Sequence, residues 1–528
     1  MAILTLLSTN FTLTTLCLLV CVIITWVRYV NSHYTVFKRL GIPGPPPVFL
    51  LGNSPAFAKK FPMEVFKDWA KEYGHVFGFY EGLRPSVVVS CPKMAHQILV
   101  KHFNIFSTRP VINPFKHEYQ DLSLQNVSGP LWKRQRQAVS GGLTAKSIRQ
   151  MFPVMCDVTN QLITLFELNT ENNSEGFYID DVIERYSLDW FARAALGYHS
   201  DALTNENNLQ LRYMRASHQS MSVDNPLSGV AKLFPILTPL LKPFDWPHKE
   251  VSRLQTDDVK KFLNSIQSKL GEGSNFVSRN IIFNLLTRRV PVADGATSTV
   301  TPPHAKSQLN ENEIIGEVSG LIGGGVGPIS AALTFCIYNL AVHEKEQRSL
   351  TEELESIAEC KHSVTVDELT KLEAMERFVN ETLRIFPVAP GVSRECLEDC
   401  IIDGVHFTKG MVVRVMGSTI YSREDLFHRA EDFLPDRFKP ENLVKTQTEL
   451  FLPTVNQSTA LMSFGLGPRM CVGQRLALVA LKLALARLLQ EFQITVSQVT
   501  QTPLQVALRP FLVAREGVHI KMIQRKLH

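Results

Sequence analysis

The first 27 residues carry no charged side chain, and from there the pattern of apolar and polar positions changes character. Residues 11–30, FTLTTLCLLVCVIITWVRYV, form an apolar run long enough to cross a bilayer, for which roughly 20 residues suffice. Trp26 and Tyr29 fall where interfacial aromatics belong, and Arg28, Lys38 and Arg39 follow on the C-terminal side. Basic residues there predict that the downstream chain stays cytosolic. A cleaved signal peptide is the rival reading, but it needs a basic start and a small-residue cleavage site. The division expected is a membrane anchor over 1–30, a proline-rich hinge over 31–50 and a single body over 51–528. Gly41-Ile-Pro-Gly-Pro-Pro-Pro47 cannot continue a helix and reads as a stiff, extended spacer.

Along the body, apolar positions mostly recur at helical spacing. The β-like runs, such as 86–90 and 411–416, are short. A Pro/Ser/Thr/Asn-rich stretch over 290–312 reads as a surface loop. Residues 314–342 then form a long apolar segment, expected as a central helix buried on most sides. Further helices are expected over 371–385 and over 476–489, the latter apolar nearly all round. The fold class is therefore mainly α with small β-sheets (α+β). The apolar run 233–241, cut by Pro235 and Pro239, fits either ordinary core or a segment dipping into the membrane surface.

Composition narrows the function classes. With 528 residues and 45% hydrophobic content, a large core is available. A net charge of +5, spread along the chain, gives no argument for nucleic acid. Nine cysteines at irregular spacing are not a disulfide framework; they indicate a reducing compartment with at least one cysteine kept for chemistry.

The segment Phe464-Gly-Leu-Gly-Pro-Arg-Met-Cys-Val-Gly473 is the most informative. It fits F-x-x-G-x-R-x-C-x-G without exception and stands just before the apolar helix. It resembles the haem-binding loop of the cytochrome P-450 superfamily, in the manner of its membrane-anchored animal members. The resemblance implies that Cys471 is the axial ligand of a haem b iron, a soft thiolate that favours O–O cleavage. Backbone N–H groups at the following helix start suit a thiolate. Gly467 and Gly473 would let the backbone approach the sulfur and the macrocycle, Arg469 would fork onto a propionate, and Phe464 would shield the thiolate side.

Other segments carry the same resemblance in the same order. Glu381-Thr-Leu-Arg384 matches E-x-x-R, and Pro435-Asp-Arg-Phe438 matches P-x-R-F. Together they imply a buried triad of Glu381, Arg384 and Arg437 that braces the Cys471 loop. Trp132-x-x-x-Arg136 and Arg394 match positions that bind haem propionates. The implied cytochrome P-450 fold holds the haem between the long central helix and the Cys-loop helix. Substrate contacts are expected from Gly324, Val326, Val388 and Ala389, with help from 111–124.

One segment departs from the family pattern. Members carry A/G-G-x-D/E-T on the central helix, where the acid and threonine deliver protons to bound oxygen. Here the run is Ile322-Gly-Gly-Gly-Val-Gly-Pro-Ile-Ser330. Gly327 stands at the acid position and Pro328 at the threonine position, so both relay groups are missing from these catalytic positions. Positioned proton transfer is worth roughly 10²–10⁴ in rate. Pro328 also removes an N–H and crowds the Gly324 carbonyl, so the helix is expected to open here, with water or Ser330 as substitute.

Three functions follow. The first is a monooxygenase of the endoplasmic reticulum membrane. It takes electrons from NADPH through a flavoprotein reductase and acts on a steroid, fatty acid or xenobiotic. Lys133 and Arg134 are candidates for reductase docking. The second is a reductase-independent isomerase or dehydratase of lipid peroxides, which needs no relay. The third is a non-catalytic haem-binding protein.

Overall fold

Asn310 sets where the central helix begins. Its side chain accepts from the Glu313 N–H at 2.9 Å, and the Glu313 carboxylate accepts from the Asn310 N–H at 2.9 Å, a reciprocal cap. The helix therefore starts at Glu311, before the apolar run itself, and continues to Val342. The computed structural model describes residues 2–110, 115, 119–222, 225–271, 281–287, 309–357, 363–443 and 460–525. Most of the expected loop over 290–312 lies outside them, as do 111–114 and 116–118.

The central helix does not open at Pro328. It is α-helical throughout, with the proline inside it. The missing N–H leaves the Gly324 carbonyl without its helical donor, but Gly323, Gly324 and Gly325 place no side chain against the ring. A backbone that pliable bends around the pyrrolidine instead of breaking. Ser330 consequently keeps its helical register and is buried.

Around this axis pack Asp180–Trp190, Leu209–Met221, Glu373–Ile385 and Gln474–Glu491. The last two match the helices expected over 371–385 and 476–489, with Val366–Lys371 forming a separate short helix. Their shared core draws buried residues from Ala138 to Met522. A four-stranded sheet orders Val76–Glu81, Arg84–Val89, Val412–Val415 and Val392–Glu395 side by side. Its outer pairings are antiparallel and its central one parallel. Smaller sheets complete a mainly helical α+β architecture.

At the N-terminus, one helix covers Ala2–His33 and a second Val36–Leu40. The apolar side chains Leu18 and Val22 are exposed, whereas Phe37 is buried in a core cluster with Tyr80. Residues 31–40 thus belong to helices seated on the body, and the extended spacer begins only after Gly41. Among the described residues, two helical segments are long and apolar enough to cross a membrane, the N-terminal one and the central helix, and the second is mostly inside the protein.

Candidate functional site

Cys471 is held by its own loop. Its N–H donates to the Phe464 carbonyl at 2.8 Å, and the Met470 N–H donates to Gly467 O at 3.0 Å. Two residues on, Gly473 caps the helix Gln474–Glu491 without a side-chain bond, so free N–H groups point back toward the sulfur. Cys471 has open surface, yet protein surrounds it on most sides. Burial pushes its thiol up, opposed by the Gly473 N–H, Arg136 and Arg109. Phe464 packs, partly buried, against the main core.

Gly467 does a different job from the one its motif suggests. It sits at φ 73°, and a Cβ there would lie 2.0 Å from the Leu99 carbonyl oxygen. The close approach is to a neighbouring backbone, not to the sulfur; it is a Cβ on Gly473 that would lie 4.0 Å from Sγ. Gly467→Ala is expected to cost more than the ~1–2 kcal/mol of left-handed backbone strain, because the loop must also move off Leu99. A urea midpoint unchanged from wild type would contradict this.

Four arginines converge beside the loop. Arg136 lies one turn after Trp132 on the helix Gly129–Gly141 and donates to the Met470 carbonyl at 2.6 Å. Arg469 lies over the Trp132 ring at 4.8 Å and donates to Val127 O at 2.6 Å. Arg394 points inward from its strand, 1% exposed, and among the described residues reaches only the neighbouring Ser393 carbonyl. The fourth, Arg109, carries no motif. It is brought in because the Glu395 N–H pairs with the Thr108 carbonyl, setting Arg109 beside Arg394, and it reaches Arg469 O at 3.5 Å.

Among the described residues, none of these four cations forms an ion pair with a carboxylate. Arg394 Nε and both Arg469 Nε and Nη1 have no hydrogen-bond partner among the described residues. Burial, then the nearby guanidiniums of Arg109 and Arg469, pushes Arg394 down to about 9. Burial, then Arg109 and Arg136, pushes Arg469 down to about 10. Burial lowers Arg109 and Arg136 as well, while Cys471 opposes it in both. A buried cationic cluster with orphaned donors calls for a dianion with planar, two-oxygen ends. The two propionates of haem b, next to a single cysteine, fit that requirement.

The triad comes together as expected. Glu381 is fully buried and accepts from Arg384 at 2.8 Å and from Arg437 at 3.0 Å. The bonds of both arginines run to carbonyls between Tyr421 and Asp432. The brace to the Cys471 loop is indirect. It passes through Tyr421, whose carbonyl accepts from Arg384 and whose hydroxyl meets the Met462 backbone.

On the other side of the site, the expected substrate contacts separate. Gly324 is open enough that the Gln125 amide nitrogen occupies the place of its side chain, 1.8 Å from a would-be Cβ. Val326 is 0% exposed and lies inside the main core, because it is two residues, about 200°, round the helix from Gly324. Val388 is likewise buried in that core, and Ala389 is exposed. Of the remaining expected lining, 111–114 and 116–118 lie outside the described residues, while Phe115 is buried. Sequence reasoning missed His218 and Phe511, which meet Gly327. Both come from distant segments and carry no local signal. Of the docking candidates, Lys133 is exposed, but Arg134 is engaged in an ion pair with Glu313.

Comparison with known proteins gives one family. The family model described as Cytochrome P450 matches residues 42–522. The chain is 29% identical to cytochrome P450 3A9 of Rattus norvegicus, over 98% of both chains. It is 30% identical to cytochrome P450 3A7 of Homo sapiens, again over 98% of each. Against cytochrome P450 3A28 of Bos taurus the identity is 28%, over 98% of this chain and 97% of the relative.

Proposed function

The chain belongs to the cytochrome P450 family, whose members are haem b monooxygenases, and from that premise we propose that it oxidises a lipophilic small molecule, a steroid, fatty acid or xenobiotic. The observation that carries the reading is the cluster of four under-compensated arginines beside Cys471. When bound, the haem supplies the redox chemistry that activates dioxygen. The residues do the rest. Cys471 would be the metal ligand, while Arg109, Arg136, Arg394 and Arg469, with Trp132, would hold the propionates. Glu381, Arg384 and Arg437 fix the segment on which the Cys471 loop rests. Electrons come from NADPH through a flavoprotein reductase.

The body from the second helix onward forms one catalytic domain, and the N-terminal helix anchors it in the endoplasmic reticulum membrane, body on the cytosolic side. The proline-cut run supports this placement. Ile236 is 85% exposed and Leu240 and Phe244 are 69% exposed, which water alone does not favour. The run lies on the anchor side: Leu233 meets Gly82, and the Phe49 ring contacts Trp26 at 5.8 Å. An apolar substrate can then enter from lipid.

The test supplies full-length protein, reductase and NADPH with a lipid extract under heavy-isotope dioxygen. Products carrying one labelled oxygen atom are expected. The Gly327/Pro328 departure favours one other reading, rearrangement of lipid peroxides. Unlabelled products formed from hydroperoxides without NADPH would establish that reading instead.

A further inference from the structure

The space left by the missing acid is filled from another helix. A Cβ on Gly327 would lie 2.6 Å from Cε1 of His218 and 3.1 Å from its Nε2. His218 stands on Leu209–Met221, packed across the central helix. Its Nε2 is 3.1 Å from the Gly323 carbonyl oxygen. A carbonyl only accepts, so Nε2 carries the hydrogen and, in the neutral ring, Nδ1 is left as acceptor. The Phe511 ring meets the imidazole edge-on at 5.5 Å and limits its rotation. Glycine at 327 is thus the condition for this histidine to reach the helix at all.

The same imidazole lines a cleft of about 660 Å³ that ends on the central helix at Gly327 and Ser330. The cleft is charged. Asp180, Asp181 and Glu184 line it from the helix Asp180–Trp190, Arg215 from the histidine's own helix, and Arg509 and Arg515 from the C-terminal segment. Arg215 is paired with Asp181 and Glu184 at 2.6 Å. The central helix offers no titratable side chain between 323 and 331. Burial pushes His218 below its ordinary value, with the Gly323 bond and then Glu184 opposing. It is therefore neutral near pH 7, able to accept a proton at one nitrogen while releasing one from the other.

We propose that His218 relays protons from this charged cleft to the substrate side of the haem site, in place of the acid absent at Gly327. The proposal rests on the monooxygenase reading above. In that reaction the O–O bond of dioxygen breaks and a substrate C–H becomes C–OH. The second oxygen leaves as water with two electrons from NADPH and two protons from solvent. His218 conducts those protons and is regenerated each cycle.

The test uses the full-length holoenzyme with reductase, comparing wild type, His218→Gln and His218→Ala. Glutamine can still donate to the Gly323 carbonyl but does not titrate. Two drives are compared: NADPH with dioxygen, and hydrogen peroxide alone, which already carries the two electrons and two protons. With NADPH, product per NADPH consumed is expected to fall at least about tenfold in His218→Gln, while peroxide-driven product stays within about twofold. In resting wild-type protein, diethyl pyrocarbonate followed by peptide mass spectrometry is expected to modify His218, with a pH midpoint below that of free imidazole. Equal losses under both drives would assign His218 a packing role and overturn the relay. Unchanged NADPH coupling in His218→Gln, or no carbethoxylation of His218, would also overturn it. Wild type inert with NADPH would remove the monooxygenase reading itself, a result distinct from an active wild type with an unaffected variant.

Discussion

Cys471→Ala is expected to abolish substrate oxidation, a fall of more than about 10⁴ in rate or at least about 5 kcal/mol of barrier. The variant should also lose the sulfur-to-metal charge-transfer absorption, while its thermal transition stays close to wild type. The reason lies in what surrounds the sulfur. Among the described cysteines, Cys471 alone combines open surface, a helix N-terminus and two arginines that favour its anionic form. Other cysteines are set up differently. Burial pushes the Cys336 and Cys396 thiols up to about 12, and each is enclosed by core. They remain neutral thiols that cannot replace a thiolate ligand. Alanine removes one small side chain from a loop that its backbone bonds already hold, so the fold should survive. Cys471→Ser separates the effects of sulfur and shape: a hard oxygen of similar size should bind the metal without restoring turnover. Wild-type absorption in Cys471→Ala would show that another residue is the ligand.

The chemistry on the loop side of the site was legible because it is written locally. Cys471, Arg469, Glu381 with Arg384, and Trp132 with Arg136 each sit within one turn or one loop of their partners, so spacing alone places them together. Long apolar runs gave the central and C-terminal helices to within a few residues. The start at Glu311 is set by Asn310 and Glu313, a polar signal standing outside the apolar run. Arg109 was invisible because its place depends on a bridge between Thr108 and Glu395, far apart in sequence. Val326 turns into the core because neighbourhood in sequence does not mean a shared helix face. Pro328 was expected to break the helix, as propensity dictates. Packing on most sides outweighs the roughly 3 kcal/mol that proline costs in a regular helix, while the preceding glycines, themselves unfavourable there, leave room for the ring. The filling of Gly327 by His218 is purely tertiary, a property of how two helices cross.

Glu381→Ala carries the largest expected loss of stability. Its carboxylate is fully buried and takes both guanidiniums as well as the Leu434 N–H at 2.7 Å. Removing it strands two buried cations. Breaking a buried ion pair by deleting one partner costs about 3–5 kcal/mol, and here one carboxylate serves two partners. Against a typical domain stability of about 5–15 kcal/mol, the variant should be largely unfolded or unable to retain haem at 37 °C. Urea unfolding and bound haem per chain measure both. Glu381→Gln keeps the shape and one accepting oxygen, so it should fall between. Replacing an entire buried ionic cluster with apolar residues is often neutral in other proteins. It should not be so here. Arg384 and Arg437 also donate to the carbonyls of Tyr421, Ala430, Asp432, His428 and Arg429. A triple variant of Glu381→Leu, Arg384→Leu and Arg437→Met would remove the charges but orphan that row of acceptors, buried at Tyr421 and Ala430 and half-buried at the others. Each unsatisfied acceptor costs about 1–3 kcal/mol. The triple variant is therefore expected to be no more stable than Glu381→Ala. Recovery to wild-type stability would mean that the charges, not the carbonyls they organise, dominate this part of the fold.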